Sequence, residues 1–262
     1  MYEFHSDRDN YFLMQKMVCD ESIIPFIKKN HPFNIDAKIL EIGCGTAGVI
    51  SAFLERGHIG IGVDLDEGSL NYANEKLAEY IKTEQLTLIN NDIYSIDFES
   101  EFHIKFDIII LKDVIEHIHD HEKLLKKMQS FLAPSGVIFL GFPPWQMPFG
   151  GHQQICRSKF LSRLPFFHLL PMPMYRGVLK SFKESPEHFC ELKETGISIE
   201  RLERLAKKTR YKILSRDFYF INPIYKHKFN IKVRKQAKFI SSIPYIRNFF
   251  TTSAFYLLKP KA

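Results

Sequence analysis

Asp113, Glu116, His117 and His152 are the side chains whose types and spacing suit proton transfer. The first three are spaced D-x-x-E-H, and His152 follows in Gly150-Gly151-His152-Gln153-Gln154. Imidazole titrates near neutral pH, so His117 or His152 is suited to take a proton from a reacting hydroxyl. The glycines before His152 would let its backbone approach a ligand. Each histidine also has a structural alternative: His117 as a cap or packing group at a helix start, His152 as an anchor for its loop. Trp145, the only tryptophan, stands with Phe142, Pro143 and Pro144 and would wall an acceptor pocket or serve as core.

A second pattern is Glu41-x-Gly43-x-Gly45-x-x-Gly48. An apolar strand leads into it and a helix-like segment leads out. Gly43 and Gly45 allow a tight turn with no Cβ above it, and Gly48 allows close packing of the helix. Such a turn fits several nucleotide-like cofactors and some purely structural turns.

These residues must be positioned by the elements around them. Apolar runs predict strands at 37–42, 58–64, 86–90, 106–111, 137–142, 211–221 and 253–258, with amphipathic helices between most of them. Ile108-Ile109-Ile110-Leu111 is apolar without alternation, as in a parallel strand buried on both faces. The alternation of strands and helices predicts an α/β fold with a doubly wound, seven-stranded, mostly parallel sheet and an antiparallel last strand. Right-handed crossovers then gather the strand C-termini on one edge, with the glycine turn, Asp64, Asp92, Lys112-Asp113 and Phe142-Pro143 around one crevice.

The expected layout is an N-terminal helical cover (1–36), a core (37–142), a lid or acceptor insertion (143–196), and a C-terminal half of the core (197–262) with a basic insertion at 222–252. The lid segment is proline-rich and too long for a simple connector.

At 262 residues, 45% hydrophobic and 25% charged, the chain reads as an ordinary globular protein. Its scattered cysteines, with no CxxC pair, argue against a zinc ribbon or disulfide scaffold and fit a reducing, cytoplasmic setting. The charged start, Met1 to Arg8, has no apolar core after it, so no signal peptide is expected. No apolar run approaches the ~20 residues of a membrane span. Charge is asymmetric: residues 201–262 carry 16 Lys and Arg against 2 acids, and no acid follows Asp217. Between 224 and 250, Phe229, Val233, Ala237 and Ile240 would share one face of a basic amphipathic helix. Its alternatives are an anionic membrane surface (a peripheral position at the inner membrane), a nucleic-acid patch, or a solvated face.

Over most of 37–142 and again at 198–258, the chain resembles the class I S-adenosylmethionine (SAM)-dependent methyltransferases, in their small-molecule branch. Glu41 matches the acid two before the first glycine. Asp64 matches the acid that accepts both ribose hydroxyls, Asn91-Asp92-Ile93 matches the adenine loop, and Val114-Ile115-Glu116-His117 matches a stretch common in that branch. The resemblance implies SAM as cofactor, bound by Glu41, Gly43, Cys44, Gly45, Gly48, Asp64, Leu65, Asp92, Ile93 and Lys112. It implies methyl transfer to a small-molecule, sugar or lipid-linked acceptor, with O-methylation favoured. His152 and His117 would act in catalysis, and Trp145 and His152 would meet the substrate.

A partial resemblance to the ubiquinone-pathway O-methyltransferases and the small-RNA 3′-terminal methyltransferases adds a divalent metal held by Asp113, Glu116, His117 and His152, although the fold requires none. Asp113 departs from their Glu. Alternatives to the main reading are an RNA methyltransferase using the basic C-terminal region, a non-catalytic SAM-binding module, and a nicotinamide oxidoreductase. Against the last, Glu41 would repel a pyrophosphate.

Overall fold

A computed structural model of the protein describes residues 7–261. The first six residues of the expected N-terminal cover, and with them most of the charged start, lie outside the described residues. From Asp7 the chain runs through α1 (Arg8–Val18), a single π-helical turn (Cys19–Ile23) and α2 (Ile24–Asn30). The Asp7 carboxylate caps α1 by accepting from the Asn10 N–H.

The core follows as β1 (Lys38–Ile42), α3 (Gly48–Leu54), β2 (Ile59–Asp64), α4 (Glu67–Lys76), α5 (Ala78–Lys82), β3 (Leu86–Asn90), α6 (Phe98–Phe102), β4 (Phe106–Lys112), α7 (His121–Phe131) and β5 (Leu132–Phe142). Strands β3, β2, β1, β4 and β5 pair in parallel in that order. Their C-terminal ends therefore share one edge, where Gly43, Asp64, Asn90 and Lys112 all lie. Along β4, Ile108 and Ile110 pack on one face with α1, α2 and α3, while Ile109 and Leu111 pack on the other with α7. That two-sided burial is why the strand reads as an unbroken apolar run.

Beyond β5 come short 3-10 turns, α8 (Met172–Ser181) and α9 (Pro186–Thr195), which bury a small core of their own containing Leu161, Phe167, Tyr175, Leu179 and Phe189. The chain then forms α10 (Ile199–Lys208), β6 (Tyr211–Ile221), α11 (Ile224–Phe229), β7 (Arg234–Lys235), α12 (Lys238–Ser241), α13 (Ile246–Phe249) and β8 (Ser253–Pro260). β8 inserts antiparallel between β5 and β6. No helix among the described residues is long and apolar enough to cross a membrane.

The structure corrects three expectations. The sheet has eight strands rather than seven, because Arg234–Lys235 pairs with β6. The segment 224–250 is not one amphipathic helix. Asn230 takes a left-handed conformation at φ 53° and ends α11, and the chain then turns through β7 into two short helices. The strand expected at 137–142 is longer and takes in Pro134-Ser135-Gly136. The strand already begins at Leu132, with a register shift against β4. A Cβ at Gly136 would meet the Phe106 carbonyl at 2.7 Å, so the close approach of backbones explains the glycine.

Candidate active site

The glycine turn is built by the sheet edge beneath it. The Gly43 and Cys44 N–H groups donate to the Val63 carbonyl at 2.8 and 3.1 Å, tying the turn to the end of β2. Gly43 and Gly45 have φ of +70° and +51°, the left-handed region that favours glycine. A Cβ on Gly43 would strike Val114 at 2.4 Å, whereas one on Gly45 would meet nothing within 4 Å. Open space thus lies over Gly45, and Gly43 is needed because Val114 packs against it. A Cβ on Gly48 would meet the Phe12 carbonyl at 2.5 Å and the Gln15 side chain at 2.9 Å. The close packing that Gly48 allows is between α3 and α1.

Asp64 reaches back over this turn. Its Oδ2 accepts from the Gly45 N–H at 2.6 Å, and its Oδ1 accepts from the Asp66 N–H at 2.8 Å. Each oxygen keeps a second lone pair for an incoming donor. Leu65 beside it is exposed, and Cys44 is buried under the turn. Glu41 is buried too and accepts from the Ile50 N–H at 2.8 Å. Burial pushes its carboxyl up to about 8, because a charge at that depth lacks water. On β3's end, Asp92 is exposed and accepts from the Tyr94 N–H at 2.9 Å, with Ile93 buried beneath.

At the end of β4, Lys112 is ion-paired to Asp113, and its side chain is 6% exposed. Burial works against the Lys112 ammonium, but the Asp113 carboxylate paired with it outweighs that and holds its pKa above the usual value. Asp113 sits at φ 56°. One turn on, Glu116 is buried and its Oε2 has no hydrogen-bond partner among the described residues. Burial and then the Asp113 charge push its carboxyl well above the carboxylate range. The His117 and His152 rings lie 5.2 Å apart. Burial holds the His117 pKa below its ordinary value, so its ring is neutral at pH 7.

Ligand atoms of Glu116, His117 and His152 fall within 4.8 Å of one another. One carboxylate and two imidazoles are a donor set that suits a divalent ion, and the orphaned Glu116 oxygen fits it. Asp113 is not part of that group, because Lys112 holds its carboxylate.

The loop carrying His152 is held from behind. Gly150 and Gly151 do not face a ligand: a Cβ on them would strike the Trp145 carbonyl at 2.2 Å and the His168 side chain at 2.4 Å. His168 is fully buried, its Nε2 bonds the Trp145 carbonyl at 2.8 Å, and its Nδ1 meets the Gln153 amide at 3.1 Å. Trp145 packs edge-on against His168 and tightly over Gly196. A small cavity between Glu116, Trp145, His152, Leu192 and Ile197 lies under this loop.

Sequence reasoning did not single out His168, Tyr11 or Tyr225. Tyr11 accepts from the Gln15 amide at 2.6 Å, and its hydroxyl feels both Lys112 and Asp113. Tyr225, from α11, is half-buried and also feels Asp113. The N-terminal helix and the basic insertion therefore both bring a phenol to the β4 end. No spacing signal could have linked residues so far apart in the chain.

Residues 40–140 match the family model described as a methyltransferase domain. The ubiquinone biosynthesis O-methyltransferase of Coxiella burnetii is 28% identical over 101 residues, which is 38% of this chain and 41% of that protein. The enzyme of the same name from Pasteurella multocida is 28% identical over 110 residues, 39% of this chain and 44% of that one. The chain thus spans less than half of the length of these relatives.

Among solved structures, a SAM-dependent methyltransferase from Clostridium acetobutylicum superposes with a TM-score of 0.57 at 15% identity, covering 99% of this chain and 95% of that one. The magnesium protoporphyrin IX methyltransferase of Synechocystis, with bound S-adenosylhomocysteine (SAH), gives 0.55 at 13% identity, covering 95% and 84%. At such identities the likeness shows the fold.

Proposed function

We infer that this chain, whose residues 40–140 match a methyltransferase-domain model, acts as a class I SAM-dependent methyltransferase and moves the methyl group of SAM onto a hydroxyl of a small-molecule, sugar or lipid-linked acceptor. The observation that carries this reading is the meeting, on one sheet edge, of two sets of groups. One is the Asp64-held glycine turn. The other is the Glu116, His117 and His152 group across from it.

Asp64 presents two oxygens to the ribose diol, and the Asp92 carboxylate suits the adenine amino group. Lys112 and Asp113 offer one charge of each sign to the zwitterionic amino-acid end of the cofactor, with Glu41 beneath the turn. The acceptor lies between Trp145, His117 and His152, under the lid of residues 143–196. The step is a single displacement. An acceptor oxygen forms a bond to the methyl carbon, and the carbon–sulfur bond breaks with its electron pair returning to sulfur. The hydroxyl proton passes to an imidazole nitrogen of His152 or His117, and SAH leaves. The protein's main work is alignment of donor and acceptor.

The orphaned Glu116 oxygen favours a second version, in which Glu116, His117 and His152 hold a divalent ion that lowers the pKa of the acceptor hydroxyl. In that version chelation abolishes transfer and leaves SAM affinity unchanged. Transfer that survives exhaustive chelation removes the ion.

The variant His152→Ala tests the proton-transfer role. With labelled SAM and a panel of phenols, sugars and lipid-linked intermediates, it should transfer methyl on the order of 100-fold more slowly while binding SAM normally. An unchanged rate would assign His152 to loop anchoring.

A further inference from the structure

The two short helices α12 and α13 form a corner that is apolar on the outside and polar at its root. Phe239, Ile243, Tyr245, Ile246, Phe249 and Phe250 are all exposed, Phe239 at 72% and Tyr245 at 63%. So many large apolar side chains within twelve residues exceed the scattered singles of an ordinary surface.

The root is fixed. Arg247, buried, donates to Glu200 Oε1 at 2.8 Å and to Glu203 Oε2 at 2.9 Å. The Asn248 amide donates to Glu200 Oε2 at 2.6 Å, and its oxygen accepts from the Ile199 N–H at 2.8 Å. The Tyr245 N–H also donates to Glu200, at 2.9 Å. Tyr245 sits at φ 66° directly after Pro244, a costly conformation for a tyrosine. The corner is held out by a buried ion pair instead of folding its aromatics inward.

A cationic segment lies beside it. The Gln236 amide donates to the Arg247 carbonyl at 2.9 Å, which fastens the strand segment to the corner. Lys232, Arg234 and Lys238, on either side of Gln236, are exposed, and no acid follows Asp217 in the chain. Two-fold pairing of this face with itself would set like charges together. Nucleic acid would gain little from exposed isoleucines. A bilayer with anionic headgroups satisfies both the aromatic tip and its cationic rim.

We propose that the α12–α13 corner with its rim of Lys232, Arg234 and Lys238 is a docking surface for an anionic lipid bilayer. It also bears on the acceptor. Phe166 of the lid packs against Phe249 at 6.1 Å, and its N–H donates to the Pro148 carbonyl in the loop leading to His152. Docking therefore sets the lid against the bilayer, where a membrane-dissolved acceptor is presented. This part rests on the methyl-transfer reading above and narrows its acceptor to the lipid-soluble class.

The test is co-sedimentation with vesicles of phosphatidylcholine containing 30% phosphatidylglycerol, and with phosphatidylcholine alone. The full chain should bind the mixed vesicles, weaken with added salt, and bind the neutral ones at least tenfold less. The triple variant Phe239→Ser, Tyr245→Ser, Phe250→Ser should lose at least tenfold on mixed vesicles. A second variant, Lys232→Glu, Arg234→Glu, Lys238→Glu, which leaves the corner's root intact, should lose the preference for anionic lipid. SAM calorimetry on the same samples separates the two readings. Vesicle binding absent with SAM binding intact overturns the docking surface alone, and SAM binding absent in the unaltered chain overturns the transfer reading. A concentration-dependent dimer that the apolar variant dissolves, without vesicle binding, assigns the corner to self-association and also overturns the proposal.

Discussion

In the proposed reading, Asp64 is the residue on which cofactor recognition turns. Its two oxygens already accept from Gly45 and Asp66, so it is held in place before any ligand arrives, and little ordering is left to be done on binding. Replacing it with Ala removes two charge-assisted acceptors and leaves the Gly45 N–H without its partner. The expected loss in SAM affinity is about 2–3 kcal/mol, on the order of 100-fold, measured by titration calorimetry. Unchanged affinity would place the ribose elsewhere. Glu41 and Asp64 could be singled out in the sequence because their distances from the glycines are short and regular. Tyr11, Tyr225 and His168 could not, because each reaches the site only through tertiary packing.

At the scale of elements, the parallel core was readable for a physical reason. Strands buried on both faces carry few polar residues, so β1, β2 and β4 stand out as largely apolar runs, and the helices between them show a 3.6-residue stripe. The segment 224–250 reads as one helix because Phe229, Val233, Ala237 and Ile240 recur at helical spacing, yet these residues serve different ends. Val233 packs on the core, whereas Phe229 and Ala237 are exposed.

Helix α1 gives a test at this scale. It crosses the glycine turn at Gly48, and Asp9 latches it to α4 through Lys76 at 2.6 Å and the Tyr72 hydroxyl at 2.7 Å. Gly48→Ala drives a methyl into the Phe12 carbonyl and should cost about 1–3 kcal/mol of stability, seen in chemical denaturation. It should also weaken SAM binding by displacing Tyr11. A variant as stable as the parent would mean that α1 yields without cost.

For the whole molecule, acid sensitivity follows from two buried histidines. Burial lowers His121 and His168 to about 4, with Arg201 and Lys193 adding to the effect. In the unfolded chain each imidazole takes a proton near pH 6.5. The unfolded state therefore binds more protons between these values, and stability is complete above about pH 6.5 and is lost as pH falls toward 4. Each site accounts for about 3 kcal/mol across that window. Urea midpoints measured from pH 7 to pH 4.5 should fall, and His168→Asn should flatten part of the fall. A midpoint that does not move with pH would contradict the buried neutral state of both rings.

The opposite charges of the two parts of the chain act at the same scale. Residues 201–262 carry 16 Lys and Arg against 2 acids on an otherwise acidic body. In the proposed docking, that polarity turns the basic end toward the anionic surface without changing the fold.

The proposed transfer depends on one binding event at the Gly43–Gly48 turn. Titration calorimetry of the unaltered chain with SAM, SAH and NADH tests it most directly. The predicted result is one-to-one binding of SAM and SAH, weakened on the order of 100-fold in Asp64→Ala, and no binding of NADH. Binding of NADH with none of SAM would contradict it.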